Sequence, residues 1–171
     1  MIGDKEPESP LGVVVKLERD GVTFFRRANE IAADPRVRQL FERLARDREE
    51  GARLIEDAIA KAGVKVPPAT GASLYPFEAV AKVECYACGY VATEIPTSCP
   101  QCGAARYSFE KEFTAAMVWE IVMSSGTALA HAAQASLAGA RGGLKVALES
   151  LLKREQALTK EAEGELASAK A

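Results

Sequence analysis

Apolar residues recur at Val14, Leu17, Gly21, Phe24, Phe25, Ala28 and Ile31, steps of three and four that predict an amphipathic helix. Asp34 and Pro35 have the chemistry of an N-cap and a first helical residue. They introduce a second stripe at Val37, Leu40, Phe41, Leu44, Ala45, Ala52, Ile55, Ala58 and Ile59 that runs out near Gly63, with Pro67 and Pro68 beyond. The pattern lapses over residues 64 to 80, which read as a linker. A third helix is predicted from Phe113 through Met117, Val118 and Ile121 into an Ala-rich run ending at Ala138, where Arg141, Gly142 and Gly143 break it. Leu144, Leu148, Leu151, Leu152, Leu158, Ala162 and Leu166 mark a fourth. Four long helices paired by short connections predict a mainly α fold, an antiparallel four-helix bundle.

The second and fourth helices align without a gap. VRQLFERLARDREEGARL at 37–54 falls on LKVALESLLKREQALTKE at 144–161, so that Leu44 matches Leu151, Arg48 matches Glu155 and Gly51 matches Leu158. The first and third helices correspond two residues out of that step, Gly21 with Gly126 and Glu18 with Met123. The chain therefore reads as two related hairpins, although two amphipathic helices can align by period alone.

Composition narrows the function. The 171 residues are 48% apolar and 27% charged, enough to build a core, and the net charge of −2 offers no bulk positive field for nucleic acid or an anionic membrane. The opening MIGDKEPESPLG lacks the basic and apolar regions of a secretory signal, so a cytoplasmic protein is expected. Ile121–Ala140 is free of Asp, Glu, Lys and Arg, but its Ser, Thr, Gln, His and Gly content suits a buried helix better than a membrane span. The one histidine, His131, gets no catalytic role. Trp119, Tyr75 and Phe77 read as core or linker anchors, and Glu149, Lys153, Lys160 and Glu161 as a solvated face.

The chemistry concentrates in CYACGYVATEIPTSCPQCG, which holds Cys85, Cys88, Cys99 and Cys102. Two Cys-x-x-Cys pairs in a reducing compartment point to a metal held by four thiolates rather than to disulfides. Gly89 and Gly103 follow the pairs where a tight turn aims backbone N–H groups at sulfur. Four sulfurs suit either iron or zinc.

The pattern CxxCGY then CPxCG, followed by Tyr107 and Phe109, resembles the rubredoxin-like domain of rubrerythrins, although only ten residues separate Cys88 from Cys99 and Val83 stands where an aromatic is common. The string LERDGVTFFRRANEIAADPRVRQLFERLARDREEGARLIEDAI is similar to the first helical hairpin of the same ferritin-like family. The resemblance implies a ferritin-like bundle with a rubredoxin-like or zinc-ribbon-like module between helices 2 and 3. The expected divisions are 1–80 for the first hairpin and linker, 81–109 for the module and 110–171 for the second hairpin. In that family each hairpin gives a Glu and a Glu-x-x-His to a di-iron centre. Carried over, those positions are Glu18 and Met123, Arg48 with Gly51, and Glu155 with Leu158, and one histidine cannot complete two such motifs.

The expected bundle therefore carries a degenerate site without di-iron. Glu18, Arg48 and Glu155 lie on apolar stripes, and unpaired buried charges cost several kcal/mol each. Arg48 is expected to stand at the old metal position and bond both carboxylates; the alternatives are side chains that reach the bundle edge, or a residual site to which Glu120 contributes. The resemblance implies one iron per chain on the four cysteines, one-electron transfer, a homodimer and a redox partner protein. The alternative is a non-enzymatic scaffold or partner-binding protein with structural zinc. An active peroxidase ranks last, and no nucleic-acid or membrane partner is expected.

Overall fold

The computed structural model describes residues 7–169; the first six residues of the opening segment, MIGDKE, and the last two, Lys170 and Ala171, lie outside them. Helix α1 spans Pro10–Ile31, starting a turn before the first periodic residue because the Ser9 hydroxyl accepts from Gly12 N and Pro10 presets the first turn. Helix α2 spans Pro35–Ala62. Its cap is Asp34, whose carboxylate accepts from Arg36 N at 2.8 Å, and it ends at Gly63.

The segment expected to be a plain linker contains a short helix, α3, at Glu78–Ala81. Tertiary packing holds it there: Tyr75 and Phe77 lie against Phe24 with ring centroids 5.4 and 5.8 Å apart, and Val80 is buried. Strands β1 (Val83–Glu84) and β2 (Val91–Ala92) follow, antiparallel, with Val83 opposite Ala92 and Glu84 opposite Val91. A 3-10 turn covers Arg106–Phe109.

Helix α4 runs Ala115–Leu137 behind a Thr114 cap, and α5 runs Gly142–Ala169. Two expectations shift here. Phe113 lies before the cap, where it packs edge-on against Phe41 at 5.3 Å. The reversal starts at residue 138, ahead of the break expected at Arg141, Gly142 and Gly143, and Gly142, at a left-handed φ of +58°, turns the chain into α5.

Two apolar clusters fix the helix directions. One joins Phe24–Ile31 at the end of α1, Val37–Leu44 at the start of α2, Val118 and Val122 at the start of α4, and Leu158 and Ala162 late in α5. The other joins Val14, Leu17, Ile55, Leu129, Ala133, Leu144 and Leu148 at the opposite end. So α1 and α5 run one way and α2 and α4 the other, with α1 beside α2 and α4, and α5 beside α4 and α2. Because α2 ends far from where α4 begins, the chain must return along the bundle. It passes so close to α1 that a Cβ on Gly12 would stand 2.5 Å from the Pro67 carbonyl oxygen.

The cysteine module sits at the Phe24–Phe41 end, and its Val83, Cys85, Cys99 and Phe109 are buried in that cluster. Polar ties fasten it. Arg27 donates to the carbonyls of Val80 (2.9 Å) and Thr93, and Lys111 Nζ donates to Ala79 O at 2.6 Å. The Lys111 backbone exchanges hydrogen bonds with Ile31 O and Ala33 N. Among the described residues, no helix is long and apolar enough to cross a membrane.

Candidate metal centre

Each Cys-x-x-Cys pair forms the same turn. Cys85 N donates to Tyr90 O and Gly89 N to Cys85 O; Cys99 N donates to Ala104 O and Gly103 N to Cys99 O. Gly89 and Gly103 have φ of +81° and +75°, where a side chain is strained, which accounts for glycine after each pair. The turns aim amides at sulfur: Ala87 and Cys88 toward Cys85, Tyr90 toward Cys88, Gln101 and Cys102 toward Cys99, and Ala104 toward Cys102.

The four sulfurs lie within 4.8 Å of one another. Cys85 and Cys102 are 3.7 Å apart, and Cys88 and Cys99 3.6 Å. A disulfide needs about 2.05 Å. A metal bonded to four sulfurs at about 2.3 Å needs tetrahedral edges of about 3.8 Å, close to these two of the six spacings. The group could hold one metal ion such as iron or zinc.

The neighbours divide the thiols into two kinds. Burial opposes the Cys85 thiolate, but the Ser108 hydroxyl and the Cys88 and Ala87 amides outweigh it and bring the pKa down to about 6. Cys99 is likewise lowered: burial opposes its thiolate, and the Cys102 and Gln101 amides overcome it. The Tyr90 amide favours the Cys88 thiolate, yet burial and the other three sulfurs push it up to about 12. Cys102 moves up as well, since burial and its sulfur neighbours Cys99 and Cys85 exceed the help from the Ala104 amide. Cys85 and Cys99 are buried, Cys88 is partly exposed and Cys102 exposed.

In the bundle, Glu18, Arg48 and Glu155 are each no more than 2% exposed and form a polar layer between the two apolar clusters. Arg48 Nη1 donates to Glu155 Oε1, and Nη2 reaches Oε2 at 3.4 Å, a two-pronged contact. Glu18 Oε2 lies 4.0 Å from Nη1. Burial pushes the Glu18 carboxyl up to about 8 despite Arg48, so at neutral pH it keeps its proton. Glu155 is raised by burial too, though Arg48 opposes the rise through charge and hydrogen bonding. For Arg48, burial works against the charge, but the surrounding groups, with Glu155 pairing and hydrogen-bonding it directly, outweigh burial and raise its pKa, so the guanidinium stays protonated. Among the described residues Glu18 Oε2 and Arg48 Nε have no hydrogen-bond partner, each a cost of about 1–3 kcal/mol.

Missing Cβ atoms make room for this layer. One on Gly51 would stand 2.5 Å from Glu18 Oε1; one on Gly21 would meet Tyr75 Oη at 2.6 Å and Arg48 Cγ at 2.9 Å; one on Gly126 would meet Glu155 Oε2 at 3.0 Å. The corresponding glycines of the two hairpins, Gly21 and Gly126, thus face the corresponding residues Arg48 and Glu155.

Other side chains fall in different places. Glu120 is exposed, one turn before Met123, and does not join the buried Glu18 and Glu155, while Met123 packs against the apolar cluster. His131 is exposed and Trp119 is buried. On the solvated face Glu149 pairs with Lys145 at 3.9 Å, and Glu161 crosses to Arg43 in an exposed pair. Tyr75, read as a core or linker anchor, is buried, but sequence reasoning missed that its hydroxyl pairs with that of Ser125 beside the charged layer, and it missed Ser108 beside Cys85. Only the aromatic and small-polar character of these positions was visible along the chain.

Comparison with protein-family models, curated proteins and solved structures yields no match.

Proposed function

We propose that the protein is a rubrerythrin-like electron carrier that holds one iron on Cys85, Cys88, Cys99 and Cys102 and has lost the di-iron chemistry of its bundle. The observation that carries the reading is the asymmetric exposure of the four sulfurs: Cys85 and Cys99 anchor in the core while Cys102 reaches solvent. A purely structural ion needs no exposed edge, whereas exchange with a partner needs one near the metal. Iron on four thiolates supplies one-electron exchange, with a potential set partly by hydrogen bonds to sulfur and by exposure. The amides around the sulfurs provide those bonds, and Tyr86, 96% exposed, stands beside Cys85 at the module surface. The helix order, with the module in the long return between α2 and α4, supports the ferritin-like reading, as does the hairpin correspondence. A homodimer and a redox partner protein belong to the same proposal, and a single-chain mass by light scattering at every concentration would count against the homodimer.

A specific observation favours a second reading. Cys85 and Cys99 belong to the apolar cluster that closes one end of the bundle, so a zinc there would contribute folding energy and make the protein a scaffold. Elemental analysis of protein made in iron-rich medium, with visible spectra before and after dithionite, separates the two. About one iron per chain and a red colour that bleaches on reduction is the expected result. A colourless zinc protein from that medium refutes electron transfer and leaves the scaffold.

A further inference from the structure

The two knuckles match amide for amide until Ser108. This residue is 8% exposed, in the 3-10 turn at 106–109, and its Oγ lies 3.6 Å from Cys85 Sγ. Cys99, the corresponding first ligand of the second pair, has only amides and sulfurs among its main hydrogen-bond partners. We propose that Ser108 is a positioning residue that donates a hydroxyl hydrogen bond to the Cys85 thiolate and thereby raises the reduction potential of the four-cysteine iron.

The hydroxyl has one proton and two acceptors within reach. It donates to Ala105 O at 2.7 Å. That carbonyl also accepts from Ser108 N at 3.0 Å, so turning the hydroxyl toward sulfur leaves Ala105 O paired. While Cys85 carries a proton, its S–H can donate to Oγ and the hydroxyl stays on Ala105. Once Cys85 binds metal as a thiolate, sulfur has only acceptor capacity, and the hydroxyl is the nearby side-chain donor that can meet it. The residue cannot drift from this position, because its own carbonyl accepts from Tyr86 N at 2.7 Å, one residue past Cys85. A donor on a ligating sulfur stabilises the more electron-rich reduced centre, so it shifts the potential upward.

The inference rests on a metal at the four cysteines, and its test separates the two ideas. Metal-free full-length protein, Ser108→Ala and Ser108→Thr are each reconstituted anaerobically with ferrous iron, and midpoint potentials are taken by dye-mediated titration. Ser108→Ala is expected to be more negative than wild type, with the equilibrium constant for reduction down about three- to tenfold, or about 30–60 mV at 59 mV per decade for one electron. Ser108→Thr, which keeps the hydroxyl, is expected to return toward wild type. Equal potentials for wild type and Ser108→Ala overturn the inference, as does a Ser108→Ala protein that fails to take up iron while wild type succeeds, since that marks a structural role. If wild type as isolated carries zinc, electron transfer falls, yet the reconstituted potentials still judge Ser108. If wild type takes up no iron at all, both fall.

Discussion

The proton on Glu18 makes the stability of the bundle depend on pH in a direction opposite to that of an ordinary salt-bridged carboxylate. Its folded pKa of about 8 stands above the unfolded value of 4.5. Below pH 4.5 both states hold the proton and the group costs nothing. Between 4.5 and 8 the folded state retains a proton that the unfolded state has released, so stability falls as pH rises, and the loss is complete once pH passes 8. The full shift, 3.5 units at 1.36 kcal/mol each, is about 5 kcal/mol, of which about 1 has been lost at pH 5.5 and about 3 at pH 7. Glu18→Gln keeps the shape and removes the ionisation. Urea unfolding followed by far-ultraviolet circular dichroism, on both proteins at pH 5.5, 7 and 9, measures the difference in unfolding free energy. Titrations of Glu155 and the thiols are common to both proteins and cancel to first order, and any fixed cost of the amide beside Arg48 is independent of pH. The difference should therefore move in favour of Glu18→Gln by about 3 kcal/mol from pH 5.5 to pH 9. Parallel stability curves across that range would refute a protonated Glu18.

Removing the cation alone should be the most damaging change in the layer: Arg48→Met strands Glu155 and is expected to cost about 3–5 kcal/mol, while Arg48→Met with Glu155→Leu recovers most of it in the same unfolding assay. A double variant no more stable than the single would mean that the pair is not the contact that matters. Gly51→Ala pushes a methyl into the Glu18 carboxyl and should cost about 1–3 kcal/mol, a penalty that largely disappears in a Glu18→Ala background; an undiminished penalty there would place the clash elsewhere. If a metal fills the four-cysteine site as proposed, stripping it with a chelator should lower the melting temperature and red-shift Trp119 fluorescence, because Trp119 shares an apolar cluster with Cys85 and Cys99. Unchanged emission and melting would separate the module from the bundle core.

What could be read along the chain was what local chemistry decides. Asp34 and Pro35 start α2 because capping needs only neighbouring residues, and Gly89 and Gly103 take positive φ because the turn geometry demands it. Helical period also placed Glu18, Arg48 and Glu155 on inner stripes, and all three are buried. The spacing of the cysteines foretold their convergence but not the metal, since iron and zinc ask for the same sulfurs. Legibility ended where distant segments meet. Helix α3 has four residues, too few for the helix-forming Glu78, Ala79 and Ala81 to announce it on their own; Tyr75 and Phe77, packed on Phe24, hold it in place. Ser108 becomes visible only when the 3-10 turn is laid against the first knuckle. Gly142, by contrast, is a breaker by its own chemistry, and it takes a left-handed φ of +58° where the chain turns into α5.

The two polar centres differ in who supplies the positive charge. In the bundle the chain supplies it: Arg48 neutralises Glu155, and a proton neutralises Glu18. A divalent ion between the carboxylates, about 4 Å from the guanidinium as Glu18 is, would meet a repulsion of about 8 kcal/mol at an effective dielectric of 20, and it would first have to displace the Glu18 proton. Two carboxylates, one already gripped from two sides, give little attraction to set against that. In the module the balance is reversed. The hydrogen-bond donors around the sulfurs are amides and the Ser108 hydroxyl, neutral groups that stabilise thiolates without cancelling their charge. A metal that binds this chain therefore gains most at the four sulfurs, where, among the described residues, no internal cation has taken its place.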